Sequence, residues 1–265
     1  MTRGLMALGE TYVQSDGARI WTVAQGQGVP VMLCNGGPGC CDYLGPVAGM
    51  IDDIACVLRF EQRGCGRSDA KRPYNLETCV SDLDIIRRHY GVAEWIIGGH
   101  SWGSDLAVAY ALEHPEHVLG ILGISGGVIH KDSAWREQYR RGKASEVNPG
   151  FQFPSDTDVN PEVNESWKEF VRRPDLLRRI AGLTVPALFV YGENDIRPSW
   201  PVEQLAQLLP YGQFVLISGA AHVIWLTHAN ALQNQLRDFV VRVAEQWDVK
   251  YRSRCVTGDE APFLG

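Results

Sequence analysis

Short apolar runs alternate with longer amphipathic stretches along most of the chain. Six runs are short, apolar and mostly rich in Val and Ile, and they occupy residues 30–34, 55–60, 94–98, 118–124, 187–191 and 213–217. Continuous apolar runs of this length are typical of strands buried on both faces of a parallel sheet. The stretches between them predict helices that cover those faces, so the pattern indicates an α/β fold.

The chain opens with a predicted hairpin. Residues 11–14 and 19–24 have strand-like patterns and flank the turn formers Ser15, Asp16 and Gly17. Two such strands pair antiparallel across a tight turn. Together with the six apolar runs, they predict a mostly parallel sheet of eight strands.

Two stretches have clear helical patterns. Residues 77–90 place Val80 and Leu83 on one face and charged side chains elsewhere, which predicts an amphipathic helix. Residues 102–114 are small and apolar throughout, as expected of a central helix covered on most sides, and Pro115 ends it.

One stretch interrupts the alternation of strands and helices. Residues 128–180 are polar, with several Asn-Pro and Pro-Gly turns between two charged, helix-like pieces. Those pieces cover residues 134–144 and 161–172. We predict that this stretch is a cap inserted over one end of the sheet, between core segments 1–127 and 181–250.

Composition and charge exclude several classes of protein. The 265 residues include 25 Lys and Arg against 31 Asp and Glu, a net charge of −6. This balance disfavours nucleic acid, which is bound chiefly by clustered cations. No run approaches the roughly 18 apolar residues of a membrane span. Residues 5–8 are shorter than the apolar core of a signal peptide, about 7 residues or more.

We therefore expect a cytoplasmic protein with neither a nucleic-acid nor a membrane partner, and its oligomeric state stays open. Residues 251–265 show no periodicity and are predicted to form a C-terminal surface extension. The seven cysteines are an odd number without a CxxC pair, so we expect buried free thiols and no metal site.

Residues 99–103 read Gly-His-Ser-Trp-Gly and fit the pattern G-x-S-x-G. A serine in this pattern lies on a tight turn from a strand to a helix, with its hydroxyl above the edge of the sheet. The alternative is an ordinary serine that caps the helix N-terminus. We favour Ser101 as a nucleophile because a predicted strand precedes it and a predicted helix follows it.

A serine nucleophile needs a base, and the base needs a carboxylate that orients it. Asp195 follows the run 187–191, and His222 follows the run 213–217. The chain order Ser, Asp, His is that of α/β-hydrolases. Glu193 is a rival acid, and His228 is a rival base.

A glycine-rich loop follows the run 30–34 and reads Asn-Gly-Gly-Pro-Gly. Its glycines allow main-chain amides to turn toward a site, and we expect the amides of Gly37 and Trp102 to form an oxyanion hole. The loop matches neither phosphate-binding pattern, so no nucleotide and no other cofactor is expected. Cys40 lies beside this loop, which raises the hypothesis that alkylation inhibits the protein.

Three motifs together resemble the prolyl iminopeptidase family of α/β-hydrolases, enzymes that remove an N-terminal residue, preferably proline. They are Gly-Gly-Pro-Gly at residues 36–39, Gln-Arg-Gly-Cys-Gly-Arg-Ser at 62–68 and Gly-Gly-His-Ser-Trp-Gly-Ser at 98–104. The resemblance extends over residues 12–126 and, more loosely, 185–243. It implies an α/β-hydrolase fold with a helical cap.

The resemblance implies roles at the five positions already reached from the residues. Ser101 is the nucleophile, Asp195 and His222 are its partners, and Gly37 and Trp102 supply the oxyanion donors. It further implies that Arg63 is architectural and pins its loop beside the nucleophile.

The cap is short for this family, in which cap glutamates grip the substrate's amino group. Glu165, with Glu162 and Glu169, has the helical spacing for that task, but the same spacing describes a solvated acidic face. The substrate-binding residues predicted from sequence are Gly36, Trp135, Phe153, Glu165 and Trp225.

The sequence thus predicts a serine hydrolase that acts on a small molecule or a short peptide. The leading hypothesis is a proline iminopeptidase, and the alternative within the same mechanism is a carboxylesterase or lactonase of a small apolar ester. A different class is a non-catalytic small-molecule receptor on the same fold.

Overall fold

The computed structural model describes residues 8–257, and for residues 248–257 it describes only the helical backbone. Within these residues, eight strands form a single sheet. They are β1 (Gly9–Ser15), β2 (Ala18–Gly26), β3 (Val29–Cys34), β4 (Ala55–Phe60), β5 (Trp95–His100), β6 (Val118–Ile124), β7 (Ala187–Gly192) and β8 (Gly212–Ile217). These positions agree with the predicted runs to within a residue or two.

The strand order is β1-β2-β4-β3-β5-β6-β7-β8. The first two strands form the predicted hairpin, in which Ser15 pairs with Ala18, and β2 also pairs antiparallel with β4. The remaining pairs are parallel. The carboxyl ends of β3, β5, β7 and β8 therefore point to the same edge of the sheet, where α/β folds collect their sites.

Helices occupy both faces of the sheet. They are α1 (Gly45–Ala48), α2 (Leu76–His89), α3 (Trp102–Glu113), α4 (Ser133–Gly142), α5 (Val159–Val171), α6 (Leu176–Ala181), α7 (Trp200–Leu208) and α8 (Ala229–Thr257). Asn75 caps α2 by accepting a 2.8 Å hydrogen bond from the amide of Thr78. The amphipathic helix and the central apolar helix thus both occur where the pattern predicted them.

The core has two layers because side chains alternate between the faces of each strand. Met32 packs in the layer that includes α2, α3 and α7, whereas its neighbour Leu33 packs in the layer that includes α1 and α8. Both residues are fully buried. Burial on both faces explains why the central strands are continuously apolar rather than alternating.

Strand β8 differs from the prediction of a buried strand. Most of its residues are half-buried or exposed, and Leu216 is 47% exposed. The physical reason is its place at the end of the sheet, with β7 as its only neighbouring strand among the described residues.

We call residues 128–180, which contain α4, α5 and most of α6, the cap segment. Its start is tied to α3, because the amides of Gly127 and Val128 donate to Asp105 at 2.8 and 2.7 Å. Further along, the amide of Gly66 donates to the carbonyl of Pro154 at 2.9 Å. Hydrogen bonds thus fasten the cap segment to the core both at its start and near its middle.

At the termini, two sequence predictions meet the limits of the described residues. Helix α8 continues to Thr257, into the predicted C-terminal extension, and residues 258–265 lie outside the described part of the chain. Most of the short apolar run near the start falls within residues 1–7, which also lie outside it. In the part that the structure describes, no helix combines the length and the apolar character needed to cross a bilayer.

Candidate active site

Ser101 lies on the sharp turn between β5 and α3. Its backbone has φ +56° and ψ −124°, a conformation that non-glycine residues rarely adopt and that persists only where the surroundings enforce it. A Cβ atom on Gly99 or Gly103 would lie 2.3 or 2.0 Å from the carbonyl oxygen of Cys34. The glycines of the motif are therefore required by the close approach of the end of β3.

Asp195 and His222 meet at the carboxyl ends of β7 and β8. Nδ1 of His222 donates to Oδ2 of Asp195 at 2.6 Å, and the carboxylate is fully buried. This bond holds the imidazole proton on Nδ1 and leaves Nε2 able to accept a proton. The pair has the arrangement of a general base and the acid that orients it.

The rival acid and the rival base have other partners. Glu193 is exposed and accepts hydrogen bonds from the Ser218 hydroxyl at 2.6 Å and the Gly219 amide at 2.8 Å. His228 pairs through Nδ1 with the hydroxyl of Thr227 at 2.8 Å. The geometry thus pairs Asp195 with His222 rather than either rival.

A cavity of about 430 Å³ opens over these residues. Ser101, His222 and Gly37 line it from the sheet edge, and Tyr139, Lys143 and Phe151 line it from the cap segment. The volume falls within the range of about 300–1,000 Å³ that is typical of small-molecule sites.

The two predicted oxyanion donors are the main-chain amides of Trp102, which directly follows Ser101, and of Gly37, which lines the same cavity. Trp102 is the first residue of α3, and the first amides of a helix have no acceptor within the helix. Gly37 has φ +116°, and a Cβ there would lie 2.6 Å from the amide nitrogen of Gly39. By contrast, the amide of Gly36 donates to the hydroxyl of Tyr43 at 2.9 Å and is already used.

The structure does not bring the other predicted substrate-binding residues to the cavity. The indole of Trp135 donates to the carbonyl of Pro198 at 3.0 Å, and Phe153 lies against the guanidinium of Arg67. Trp225 is buried beside His100. None of these aromatic residues lines the cavity as the structure describes it.

Glu165 likewise lies away from the cavity. Its side chain is 61% exposed on α5, and it pairs with Lys168 at 2.8 Å. The solvated acidic face, which the sequence left as the alternative, describes this position. Of the five predicted substrate-binding residues, Gly36 is the one that lies beside Ser101, where a Cβ would lie 3.2 Å from the Cβ of Ser101.

Sequence reasoning missed Arg197, which links the cap segment to the acid loop. Its Nη2 pairs with Glu146 of the cap segment, and its Nη1 lies 3.6 Å from Oδ1 of Asp195. The guanidinium also lies 4.7 Å from the centre of the Tyr139 ring. The sequence does place a cation two residues after the predicted acid. The cap residues that Arg197 contacts, however, are some 50 residues away in sequence, so the pairing could not be predicted.

Arg63 lies away from this cavity. Its Nε and Nη2 atoms each donate to the carboxylate of Asp82 at 2.8 Å, and Nη2 also donates to the carbonyl of Ser15 at 3.0 Å. These bonds fasten the loop after β4 to α2 and to the end of β1. The contacts agree with an architectural role.

Cys40 lines the cavity and carries a free thiol. Burial raises the pKa of this thiol to about 12, so very little reactive thiolate is present at neutral pH. The side chain of Cys255 lies outside the described residues. Where side chains are described, no three His, Cys, Asp or Glu residues are grouped as metal ligands would be.

Comparisons with known proteins agree with this fold. A family model described as the alpha/beta hydrolase fold matches residues 29–164. The proline iminopeptidase of Neisseria meningitidis serogroup B is 30% identical over 178 residues, which is 54% of each chain. The chain thus spans about half the length of the curated relatives it matches.

Solved structures show the same fold at low sequence identity. A thermophilic esterase from Thermogutta terrifontis superposes with a TM-score of 0.72 at 19% identity, over 89% of this chain and 99% of the esterase. An enol-lactonase from Burkholderia xenovorans superposes with a TM-score of 0.69 at 20% identity, over 87% and 100%.

With half of its length matched by the family model, the chain belongs to the α/β-hydrolase fold family. Within that family it is similar to proline iminopeptidases in sequence.

Proposed function

We propose that this protein is a serine hydrolase that forms an acyl-enzyme on Ser101. The observation that carries the proposal is the hydrogen-bonded Asp195–His222 pair, which faces the same cavity as a serine held at a positive φ on the turn into α3.

In this mechanism Nε2 of His222 takes the proton of the Ser101 hydroxyl as the serine oxygen attacks a carbonyl carbon. The amides of Gly37 and Trp102 stabilise the resulting oxyanion, and His222 then gives the proton to the leaving group. A water molecule, deprotonated by His222, releases the acid in the second half of the cycle and restores the free serine.

For the substrate we favour a small ester or lactone over a peptide with a free amino terminus. An ammonium group needs a carboxylate that is free to receive it, and Glu146 is the one acid among the described residues that line the cavity. Glu146 is already paired with Arg197, and Lys143 adds a further positive charge to the lining. Like charges disfavour an ammonium ion there.

A proline iminopeptidase is the second candidate function. It is favoured by the curated relatives, such as two that are 30% identical over 178 residues and 37% identical over 120 residues, and by the aromatic rings of Tyr139 and Phe151 on the cap side of the cavity. In this case Glu146 would have to leave Arg197 and pair with the substrate.

Three substrates separate the two candidates: p-nitrophenyl butyrate, proline β-naphthylamide and N-acetylproline β-naphthylamide. We expect hydrolysis of the butyrate ester, little turnover of either amide, and loss of activity in Ser101→Ala. Fast cleavage of proline β-naphthylamide that acetylation abolishes would instead establish the aminopeptidase, and Glu146→Gln would then raise its KM.

A further inference from the structure

A second hydrogen-bonded chain lies beside the triad, lines the same cavity through Tyr43 and His100, and is not used in the mechanism above. The amide of Gly36 contacts the Tyr43 hydroxyl at 2.9 Å, and this hydroxyl contacts Nδ1 of His100 at 2.6 Å. Nε2 of His100 lies 3.0 Å from the backbone carbonyl oxygen of His222. Tyr43 and His100 are 9% and 2% exposed, so the chain is almost wholly buried.

The direction of each hydrogen bond follows from the last group in the chain, which is the backbone carbonyl oxygen of His222. A carbonyl oxygen can only accept, so Nε2 of His100 carries the proton and donates to His222. Burial holds the pKa of His100 well below its usual range, so the ring is neutral and Nδ1 is an acceptor. The Tyr43 hydroxyl must therefore donate to Nδ1, and its oxygen accepts the Gly36 amide proton.

This chain joins three parts of the site that are far apart in sequence. One end is Gly36, directly before the oxyanion donor Gly37, and the other end is the backbone of the base His222. Between these ends, His100 directly precedes Ser101 in sequence. Since each half of the reaction needs these groups in fixed relative positions, a chain that couples their backbones affects the rate.

Aromatic contacts hold the two rings in place. The Trp225 ring lies edge-on to His100 with centroids 4.8 Å apart, and it stacks on Tyr43 at 6.2 Å. This position explains why Trp225 is buried beside the site rather than in the cavity. The rings keep their orientation through packing, so the hydrogen bonds can be tested separately by removing polar atoms alone.

We propose that Tyr43 and His100 are positioning residues that hold the oxyanion loop and the backbone of His222 in register with Ser101. This inference rests on the proposed serine-hydrolase function. It assigns no contact with the reacting atoms to either residue.

The test uses Tyr43→Phe, which keeps the ring and removes the hydroxyl. Tyr110→Phe is the matched control, because Tyr110 is also buried and its hydroxyl donates to Asp84 at 3.3 Å, away from the cavity. For Tyr43→Phe we expect kcat for p-nitrophenyl butyrate to fall about 10- to 100-fold, with KM changed less than about threefold. Tyr110→Phe keeps the wild-type kcat.

Inhibitors distinguish positioning from a loss of folded protein. Phenylboronic acid forms a tetrahedral adduct with an active serine and reports on the oxyanion hole, whereas butyrate, the product, reports on ground-state binding. We expect the Ki of phenylboronic acid to rise about in parallel with the loss of kcat, while the Ki of butyrate is unchanged. A lower fraction of folded enzyme would change neither Ki.

His100→Phe provides an independent variant that removes both of the imidazole hydrogen bonds. If the residues act as one chain, Tyr43→Phe adds little to the loss already caused by His100→Phe, because the two effects share one mechanism. Independent, multiplicative losses would contradict the coupled chain.

Failure of the inference differs from failure of the proposed function. If a fluorophosphonate probe does not label Ser101 in the wild type, the serine-hydrolase proposal itself fails. If the wild type is labelled but Tyr43→Phe retains the wild-type kcat and phenylboronic acid Ki, the positioning role is overturned. A rise in KM alone would also overturn it, since it would make Tyr43 a substrate contact.

Discussion

The sheet edge and the cap segment differ in how their polar and charged side chains are held in place. At the sheet edge, Ser101 is held in a strained backbone conformation, and Asp195 is fully buried against His222. In the cap segment the charged side chains form exposed pairs, such as Glu137 with Arg141 and Glu165 with Lys168. Exposed ion pairs contribute only about 0–1 kcal/mol each, so they specify position weakly.

From this difference we expect the sheet edge to determine the rate of the chemical step and the cap segment to determine which substrate binds. The reacting groups are fixed by buried contacts to strands, whereas the cap residues that line the cavity lie within residues 139–151, which are all half-buried or exposed. Substitutions at the sheet edge should therefore lower kcat, and substitutions in the cap segment should change KM.

The largest effect is expected for Asp195→Asn, which removes the charge that orients and stabilises protonated His222. We expect kcat for p-nitrophenyl butyrate to fall by about 10⁴-fold, as for carboxylates in this role. Glu193→Gln is the matched control, because Glu193 lies two residues away with surface partners. Equal losses in the two variants would contradict the assignment of the acid.

The next effect concerns Asp105 of α3, which accepts hydrogen bonds from the amides at the start of the cap segment. Burial raises the pKa of Asp105 to about 6, so the folded protein holds a proton there that the unfolded chain releases near pH 4. Stability from this group is complete at lower pH and is lost as pH rises toward and through 6, by at most about 3 kcal/mol.

Asp105→Asn removes the pH-dependent loss of stability but keeps an oxygen that can accept hydrogen bonds from the amides of Gly127 and Val128. The Tm of the variant minus that of the wild type should therefore become more positive between pH 4 and pH 7.5, as measured by thermal unfolding. A difference that is constant or falls with pH would show that Asp105 is not held protonated.

A smaller effect is expected for Phe151→Ala on the cap side of the cavity. Removal of this ring should raise KM for p-nitrophenyl butyrate by about tenfold, with kcat nearly unchanged, because apolar contact is lost equally in ground and transition states. Phe153→Ala is the control, since Phe153 lies against Arg67 outside the described cavity lining. A loss confined to kcat would contradict the separation of roles.

The smallest effect is expected for iodoacetamide. Cys40 lines the cavity, but its raised pKa leaves almost no thiolate at pH 7. We therefore expect the rate to stay within about twofold of the untreated enzyme after an hour at pH 7. Rapid inactivation that Cys40→Ser abolishes would contradict this expectation and support the hypothesis, drawn from the sequence, that alkylation of Cys40 inhibits the protein.

The strands of the sheet were predictable because a strand that is buried on both faces has a continuous apolar sequence. The runs at β3 to β7 are apolar for that reason, and the glycines around Ser101 reflect one close backbone approach. The burial of β8 was not predictable, since a short apolar run does not say whether its strand has one neighbour or two.

The cavity lining was harder to predict because it depends on pairs distant in sequence. Tyr43 meets His100 across 57 positions, and neither residue type marks a catalytic motif by itself. In the cap segment, Trp135 and Phe153 are as aromatic as Phe151, and only the fold determines which ring lines the cavity.

Labelling with a fluorophosphonate probe, followed by peptide mass mapping, identifies the nucleophile of this protein. We expect a single modification, on Ser101, that is absent from Ser101→Ala and strongly slowed in Asp195→Asn. An unmodified wild type, or a Ser101→Ala variant that is still labelled at the same rate, would contradict it.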